Sequence, residues 1–518
     1  MVHTTDTALS TGPRPAGRDS SGRDRRMPGW APRAACLLAA MVLTGLTVGN
    51  LIVPAAAWIA PALMLRFVRQ SSVWVGLGLG ALAQVLAHEV AWHPVVPLAG
   101  WMLYALPAAI GLVFFMPCAV DRLLAPRLRG MAATLVFPSA LVVSEFLYTR
   151  AGLGSWGALA YSQYGDLPLL QTLSLAGLSG LTFLIGWFAA AVNHLWEGGL
   201  AWPGARRPLA ACGALIVAAL LFGGLRLALA ADPVPTLRVA GLTIDNIDVF
   251  RDSWGPLTRG QPLTAEAAAA ARPQTLALQQ ALLERSRAEA RAGAKLVVWS
   301  EANAMVFRED EDAFLQAGRA LAREEGIYLF MAMATLTPGA PLAENKLVVI
   351  DPEGQVRGQY LKSHPTPAEA SVPGTGRVGL IDTPFGRIAW AICYDFDFPA
   401  LIRQAGRAGA DILIDPSWDN RAITPMHTQM AAFRAIENGA ALFRQVNDGL
   451  SLAVDAQGRT LGQMDHGATT GPVKTLVADL PTRGTRTLYG LVGDVLPALC
   501  GLGLLVLTVR ARRGPRAA

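Results

Sequence analysis

The chain has 518 residues, of which 52% are hydrophobic and 16% are charged, and its mean hydropathy is +0.36. A soluble domain of this size rarely carries so large an apolar excess, so part of the chain is expected to lie in lipid. The net charge of +6 comes from basic residues in short loops, not from a patch interleaved with aromatic residues, which disfavours nucleic-acid binding. The length exceeds what one hydrophobic core usually supports, so at least two structural units are expected.

Eight apolar runs predict membrane-spanning helices, because each approaches the ~20 residues that cross a bilayer. The first two runs are short and close together, so they form either a hairpin or one imperfect pair. The runs cover residues 34–49, 51–68, 72–90, 97–120, 130–149, 168–195, 207–230 and 487–509.

The arginines between these runs predict the orientation of the chain. They cluster in the N-terminal segment, after the second, fourth and sixth runs, and after the last run, whereas the alternate loops contain few basic residues. Because basic loops stay on the cytoplasmic side, both termini are expected there, with residues 232–486 on the opposite side. The predicted parts are a disordered basic tail (1–30), a membrane domain of about seven helices (31–231), a soluble domain (232–486), a C-terminal transmembrane helix (487–509) and a basic cytoplasmic tail (510–518).

Short β-rich runs alternate with helical runs within 232–486, which predicts an α/β layered domain. Strands are predicted at 237–244, 295–299, 327–335, 345–351, 387–392, 412–414, 442–446 and 451–454. Helices are predicted at 273–292, 313–325, 399–408 and 427–438. Reactive residues at the ends of such strands are expected to face a cleft.

Cys393 is the lone cysteine of the soluble domain, since the others (Cys36, Cys118, Cys212 and Cys500) lie in apolar runs. A free cysteine is usually an inert buried residue, and a nucleophilic role requires a base or a cation beside it. Glu301 and Lys362, which lie at the ends of β-rich runs, are candidates for these two groups. Taken singly, Glu301 is more often a cap and Lys362 an ordinary surface lysine.

Together the three residues suit acyl transfer through a thioester. Glu301 would accept the thiol proton of Cys393, and Lys362 would stabilise the oxyanion that forms when sulfur attacks an acyl carbonyl. The backbone N–H of Tyr394 would be a second donor to that oxyanion. Groups that are distant in sequence meet in a fold, so their separation is no objection.

The order and surroundings of these residues resemble the nitrilase (carbon–nitrogen hydrolase) superfamily, which uses a Glu-Lys-Cys triad on an αββα sandwich. The shared motifs lie at 351–354, 360–364, 393–399 and 435–439, followed by Arg444 and Asn447. The resemblance covers about 235–480. It implies a nitrilase-like αββα catalytic domain at 232–486, attached to a multi-pass α-helical membrane domain.

One branch of this superfamily, the apolipoprotein N-acyltransferases, places the domain between seven upstream spans and one downstream span. Segments 154–157, 161–163 and 177–183, with Glu145 and Arg150, are similar to membrane-domain motifs of that branch. The resemblance implies a ping-pong reaction, in which Cys393 takes an acyl chain from a phospholipid and the α-amine of a diacylglyceryl-cysteine lipoprotein receives it. It also implies a bacterial cytoplasmic (inner) membrane with the catalytic domain on the periplasmic side, no metal or organic cofactor, and a monomer.

Some positions depart from the family pattern. Ser300 precedes Glu301 where the family has proline. Glu369 lies one residue closer to the lysine than the family's second active-site glutamate, for which it is the best counterpart. Asp395 is one methylene shorter than the usual glutamate. These departures leave the triad intact and bear on the identity of the substrate.

Two other functions stay open. One is a membrane-tethered amidase or nitrilase that hydrolyses a small carbon–nitrogen substrate; a small polar pocket would favour it, whereas an apolar tunnel would favour the transferase. The other is a non-catalytic protein that binds a lipid or a partner, against which the intact triad argues. His364 and His427 are expected to be hydrogen-bonded structural histidines rather than metal ligands.

Overall fold

The computed structural model of this chain describes residues 29–95, 100–230, 235–366 and 369–513. The predicted basic N-terminal tail lies almost entirely outside these ranges, as does the end of the predicted C-terminal tail. The described residues up to 230 are helical, and an α/β domain follows from residue 235, as predicted from the sequence.

Helices make up the region before the α/β domain. They are α1 (Trp30–Gly45), α2 (Pro54–Gln70), α3 (Val73–Trp92), α4 (Met102–Leu124), α5 (Met131–Thr134), α6 (Val136–Tyr148), α7 (Leu167–Leu170), α8 (Leu173–Glu197) and α9 (Trp202–Ala228). A further helix, α17 (Val495–Arg513), follows the domain.

Six helices within the described ranges are long and apolar enough to cross a membrane. They are Val73–Trp92, Met102–Arg127, Met131–Leu153, Leu173–Glu197, Trp202–Ala228 and Val495–Arg513. These six correspond to the third to eighth apolar runs of the sequence. The first two runs correspond to α1 and α2, which have 16 and 17 residues and fall short of the usual ~20-residue span. The total of about eight spans therefore stays a prediction.

The α/β domain contains thirteen strands within the described ranges. They are β1 (Thr236–Ile244), β2 (Leu296–Trp299), β3 (Ala304–Phe307), β4 (Tyr328–Leu336), β5 (Glu344–Ile350), β6 (Val356–Leu361), β7 (Gly379–Thr383), β8 (Gly386–Trp390), β9 (Ile412–Trp418), β10 (Ala441–Asn447), β11 (Leu450–Val454), β12 (Thr460–Asp465) and β13 (Val473–Pro481). Its helices are α10 (Ile247–Ser253), α11 (Gly255–Thr258), α12 (Ala265–Arg291), α13 (Glu311–Glu325), α14 (Pro399–Ala408), α15 (Met426–Asn438) and α16 (Leu488–Val492).

Two sheets form a sandwich with helices on its outer faces. One sheet has the order β13-β1-β2-β4-β5-β6, with β3 also paired to β4, and the other has the order β12-β11-β10-β9-β8-β7. Alternate residues of β4 show the layering: Phe330 and Ala332 join the core that both sheets share, while Leu329 and Met331 join a core that contains helices α12 and α13. This period of two is what a strand buried on both faces requires. Helices α14 and α15 cover the other sheet, which confirms the predicted αββα sandwich.

Parallel pairing brings the ends of several strands to one edge of the sandwich. Strand β2 is parallel to β1 and β4, and β9 is parallel to β8 and β10. Strand β6 is antiparallel to β5, which is antiparallel to β4, so β6 also ends at this edge. The residues that follow β2, β6 and β8 are therefore brought close together.

Some predicted elements are longer in the structure, and some strands were not predicted. Helix α12 begins at Ala265 rather than at 273, because the Thr264 hydroxyl accepts the N–H of Ala267 and caps it there. Strand β9 continues beyond 414 to Trp418. Of the five strands without a prediction, β6, β7, β12 and β13 lie at the ends of the two sheets. Edge strands carry fewer buried residues, so they lack the continuous apolar runs that predict a strand.

The helical region and the α/β domain pack directly against each other. One hydrophobic core contains Tyr161 and Leu181 from the helical region together with Met430 and Phe433 from α15. The rings of Tyr161 and Phe433 meet edge to face with centroids 4.8 Å apart. The α/β domain therefore packs directly on the helices that precede it.

Candidate active site

Glu301, Lys362 and Cys393 line one cavity of about 200 Å³ at the common edge of the two sheets. All three are buried, with 3%, 2% and 4% of their surface exposed. The rest of the cavity wall is mixed: three aromatic residues line it, Phe250, Trp254 and Trp418, together with Thr258, Ala302, Thr366 and Glu369. The structure therefore brings together the three residues on which the predicted chemistry depends.

Lys362 lies between two carboxylates. Its Nζ is 2.8 Å from Oε1 of Glu301 and 2.6 Å from Oε2 of Glu369. Burial alone disfavours the ammonium, but the charges of Glu301 and Glu369 outweigh it and raise the pKa of Lys362 well above its usual value. The lysine is therefore a fixed cation at the cavity wall.

Asn345 and the backbone of Trp418 orient the two glutamates. The N–H of Trp418 donates to Oε2 of Glu301 at 2.7 Å. The Asn345 amide donates to Glu301 at 2.7 Å and to Glu369 at 2.8 Å. Burial opposes the charged form of Glu369, but Lys362 and the amide of Asn345 lower the pKa of this carboxyl below its usual value. Both glutamates thus have their oxygens held by donors before any substrate binds.

Cys393 begins a tight turn, Cys393–Asp397, here called the Cys393 turn. Its φ of +50° lies in the left-handed region, which costs a non-glycine residue about 1 kcal/mol or more. The N–H of Cys393 donates to Oδ1 of Asp415 at 2.9 Å, and its thiol donates to the carbonyl oxygen of Trp418 at 3.6 Å. Burial, followed by the charge of Glu301, raises the pKa of the Cys393 thiol well above its usual value. The resting thiol holds its proton, so attack requires a base.

Asp395 joins the Cys393 turn to the loop that follows Lys362. Its carboxylate is completely buried and accepts the hydroxyl of Tyr360 at 2.7 Å and the N–H of His364 at 2.8 Å. The His364 ring also lies 3.0 Å from it, through Nδ1. Asp395 therefore fixes where the lysine loop lies relative to the sulfur.

Tyr394 lies beside the cavity but is not among the residues that line it. Its ring is half-buried and meets Phe398 edge to face, with centroids 5.2 Å apart. Burial, followed by the charge of Asp397, raises the pKa of the Tyr394 phenol, so the side chain stays neutral. The role of its N–H as an oxyanion donor stays a prediction.

Sequence reasoning gave no role to Asn345, Asp415 or the backbone of Trp418. What these residues share is their position on the strands. Asn345 lies near the start of β5, opposite the end of β6, and the other two lie in the second half of β9. Only the length of β9, which was predicted to stop at 414, would have placed Trp418 beside Glu301.

Among the described residues, Cys393, Asp419 and His427 are the group whose ligand atoms lie close enough to hold a metal ion, all within 4.8 Å of one another. Both imidazole nitrogens of His427 already face carboxylates, and the Arg444 guanidinium donates to Asp419 at 2.9 Å. A neighbouring guanidinium opposes a second cation, so the donor set fits a hydrogen-bond network better than a metal site.

Residues 263–488 match the carbon–nitrogen hydrolase family. This part of the chain is a carbon–nitrogen hydrolase domain. Two relatives named apolipoprotein N-acyltransferase match much more of the chain. One, from Geobacter metallireducens, is 28% identical over 74% of this chain and 75% of its own length. The other, from Bradyrhizobium diazoefficiens, is 29% identical over 79% of each chain.

These matches are longer than the domain itself, so the resemblance to the N-acyltransferases includes apolar helices as well as the carbon–nitrogen hydrolase domain. Among solved structures, an amidase from Nesterenkonia sp. is 21% identical and covers 48% of this chain and 92% of its own, with a TM-score of 0.37. A likeness at this level says nothing about the substrate. The family to which the chain is similar over most of its length is the one expected from its sequence motifs.

Proposed function

We propose that this protein is an N-acyltransferase, which moves a fatty acyl chain from a phospholipid to the α-amine of a diacylglyceryl-cysteine lipoprotein. The observation that carries the proposal is the meeting of Glu301, Lys362 and Cys393 in one buried cavity, in a chain with six span-capable helices. The curated relatives named apolipoprotein N-acyltransferase support the same reaction.

In the first step, Glu301 takes the thiol proton of Cys393, and the sulfur attacks the ester carbonyl of the phospholipid. The oxyanion that forms is stabilised by the ammonium of Lys362. Collapse of this intermediate breaks the ester C–O bond and leaves a thioester on Cys393. The departing alkoxide takes the proton from Glu301 and leaves as a lysophospholipid.

In the second step, the α-amine of the acceptor attacks the thioester carbonyl, and Lys362 again faces the oxyanion. Glu301 accepts a proton from the attacking nitrogen, the C–S bond breaks, and an amide forms. The sulfur recovers its proton from Glu301, so the enzyme returns to its resting state with atoms and charges balanced.

Glu369 has a supporting role in this proposal. Its carboxylate holds Lys362 from the side opposite Glu301 and shares the Asn345 amide with that residue. The ammonium therefore stays charged and in place while Glu301 gains and loses its proton.

The aromatic part of the cavity wall and the packing of the domain on the helices support a lipid substrate. Three aromatic side chains line the cavity, and the domain packs on the membrane helices rather than standing apart from them. The arginine clusters after alternate apolar runs support a location of the domain on the periplasmic side of a bacterial inner membrane. Lipid substrates can then reach the sulfur from the bilayer surface.

Mass spectrometry of the intact protein tests the proposal. The purified full chain in detergent is exposed to a phospholipid of defined acyl chains, and a mass increase equal to one acyl group is expected. Peptide mapping should place this group on Cys393. The variant Cys393→Ser should form no thioester, whereas Cys212→Ala, which changes a thiol in α9, should form the adduct as the wild type does.

An alternative outcome would select the hydrolase. If no acyl adduct forms, but the protein releases ammonia from a small soluble amide in a reaction that Cys393→Ser abolishes, the chain is a membrane-bound amidase. If neither reaction depends on Cys393, both the transferase hypothesis and the amidase hypothesis are refuted.

A further inference from the structure

A loop between two membrane helices reaches the Cys393 turn. This loop, residues 154–156, is here called the membrane loop. Ser155 donates to the carbonyl oxygen of Asp397 through both its N–H and its hydroxyl, each at 2.8 Å. Trp156 Nε1 donates to Oδ2 of Asp397 at 2.5 Å. Because Asp397 is the last residue of the Cys393 turn, the membrane loop holds that turn directly.

His427 continues this chain of contacts. Its Nε2 lies 3.1 Å from Oδ2 of Asp397, and its Nδ1 lies 2.7 Å from Oδ1 of Asp419. The Trp156 ring stacks on the imidazole with centroids 5.3 Å apart. The carboxylate oxygens of Asp397 and Asp419 at the two ring nitrogens favour the doubly protonated imidazolium, while the Arg444 guanidinium, 2.9 Å from Nδ1, opposes it.

The network returns to Cys393 through Arg444. This guanidinium donates to Oδ1 of Asp419 at 2.9 Å and also pairs with Asp415, which accepts the N–H of Cys393. A ring nitrogen of His427, a carboxylate oxygen of Asp419 and Sγ of Cys393 lie within 4.8 Å of one another. All of these side chains are buried, so their charges act on the sulfur with little screening by water.

We propose that His427 is a positioning residue. The contacts Asp397–His427–Asp419 couple the docking of the membrane loop to the position of Cys393. These contacts hold the Cys393 turn in its strained conformation and place a buried cation near the thiolate that forms there. The inference rests on Cys393 being the nucleophile, as proposed above. It adds that the membrane helices help to position the sulfur and do not only anchor the domain.

The charged groups that face His427 agree with this role. They are Asp397 on the Cys393 turn, Asp419 after β9 and Arg444 on β10, with the Trp156 ring on the remaining side. Burial and Arg444 disfavour the cation, but the two carboxylates outweigh them and raise the pKa of His427 to about 9. The imidazole is therefore charged at neutral pH.

The test measures how fast iodoacetamide alkylates Cys393 in the full detergent-solubilised chain, as a function of pH. His427→Asn keeps a hydrogen-bonding side chain but removes the charge. It should move the alkylation profile about one pH unit higher, which makes alkylation about tenfold slower at neutral pH. Trp156→Phe keeps the stacked ring but lacks the indole N–H, and should slow alkylation about threefold through the membrane loop alone.

Two matched controls separate this effect from general damage. His466→Asn changes a buried histidine that faces Asp245, and Trp101→Phe changes a tryptophan that is 77% exposed. Both should give the wild-type alkylation profile. In addition, the two test variants should lower kcat of acyl transfer while KM for the phospholipid changes less than about threefold, because neither residue lines the cavity.

Specific outcomes overturn the inference. If folded His427→Asn and Trp156→Phe are alkylated like the wild type at every pH, the positioning role is refuted. If His427→Asn does not fold, Trp156→Phe decides alone, and an unchanged profile in that variant also refutes the coupling. If the two variants show these shifts but the wild-type chain forms no acyl adduct, the proposed function is refuted and the positioning role of His427 stands.

Discussion

The ammonium of Lys362 lies 2.6 Å from the carboxylate of Glu369, closer than the 2.8 Å that separates it from Glu301. The buried carboxylate of Glu301 and the largely buried one of Glu369 thus share one buried cation and one amide, that of Asn345. In such a cluster the removal of one charged member leaves the charges of the others uncompensated in the protein interior. The consequences can be measured separately for activity and for stability.

Glu369→Gln should slow acyl-adduct formation on Cys393 about 10²-fold. The glutamine retains the shape but removes one of the two charges that hold Lys362 as a cation, so oxyanion stabilisation weakens. Stopped reactions analysed by intact mass would give the rate. Glu344→Gln is the matched control, since it removes a partly exposed carboxylate that pairs with Lys346, and its rate should stay within about twofold of the wild type. A normal rate in Glu369→Gln would remove this residue from the proposed site.

Lys362→Met should abolish adduct formation and also destabilise the domain by about 3–5 kcal/mol, because the carboxylates of Glu301 and Glu369, whose side chains are 4% and 12% exposed, would remain without a cation. Thermal unfolding of the purified variant checks the second effect. The double variant Lys362→Met with Glu369→Gln should recover part of that stability while it stays inactive. Additive losses in the double variant would contradict the shared-cation arrangement.

Stability should fall at alkaline pH because of His427. Its pKa is raised from an ordinary value of ~6.5 to about 9, so the stabilisation is fully present below ~6.5 and is lost as pH rises through about 9. The contribution is about 3 kcal/mol at the acidic end of this window. Burial raises the pKa of Asp415 to about 7, so its ionisation also lowers stability as pH rises, but at lower pH than the loss due to His427. Thermal unfolding of wild type and His427→Gln from pH 6 to 10 checks this, and the variant should show the shallower loss.

Some parts of this site could be predicted from the sequence and others could not. A lone cysteine after a predicted strand, Glu301 after another, and the family resemblance that adds Lys362 together predicted which side chains would meet, although strand β6, which ends just before Lys362, was not predicted. His427 was expected to be an ordinary structural histidine, because its partners Asp397 and Asp419 carry no local pattern that marks them. Their convergence depends on the lengths of β9 and the Cys393 turn, and on the docking of the membrane loop, which is a tertiary contact between distant segments.

The close approach of Gly154 to Asp397 gives a direct test of that docking. A Cβ at position 154 would lie 2.9 Å from Cβ of Asp397, so Gly154→Ala must push the membrane loop away from the Cys393 turn. Gly152 in the same segment also has a positive φ, of +92°, but a Cβ there would meet nothing within 4 Å. Both variants therefore carry backbone strain, of about 1 kcal/mol or more, and only one carries the clash.

Gly154→Ala should slow both acyl-adduct formation and alkylation of Cys393 about tenfold, because the hydrogen bonds from Ser155 and Trp156 to Asp397 are lengthened or lost. Gly152→Ala should keep both rates within about twofold and lower only the melting temperature. Rates are compared below the melting temperature of each variant, so that unfolding does not contribute. Equal rates in the two variants would show that the membrane loop anchors the domain without positioning the sulfur.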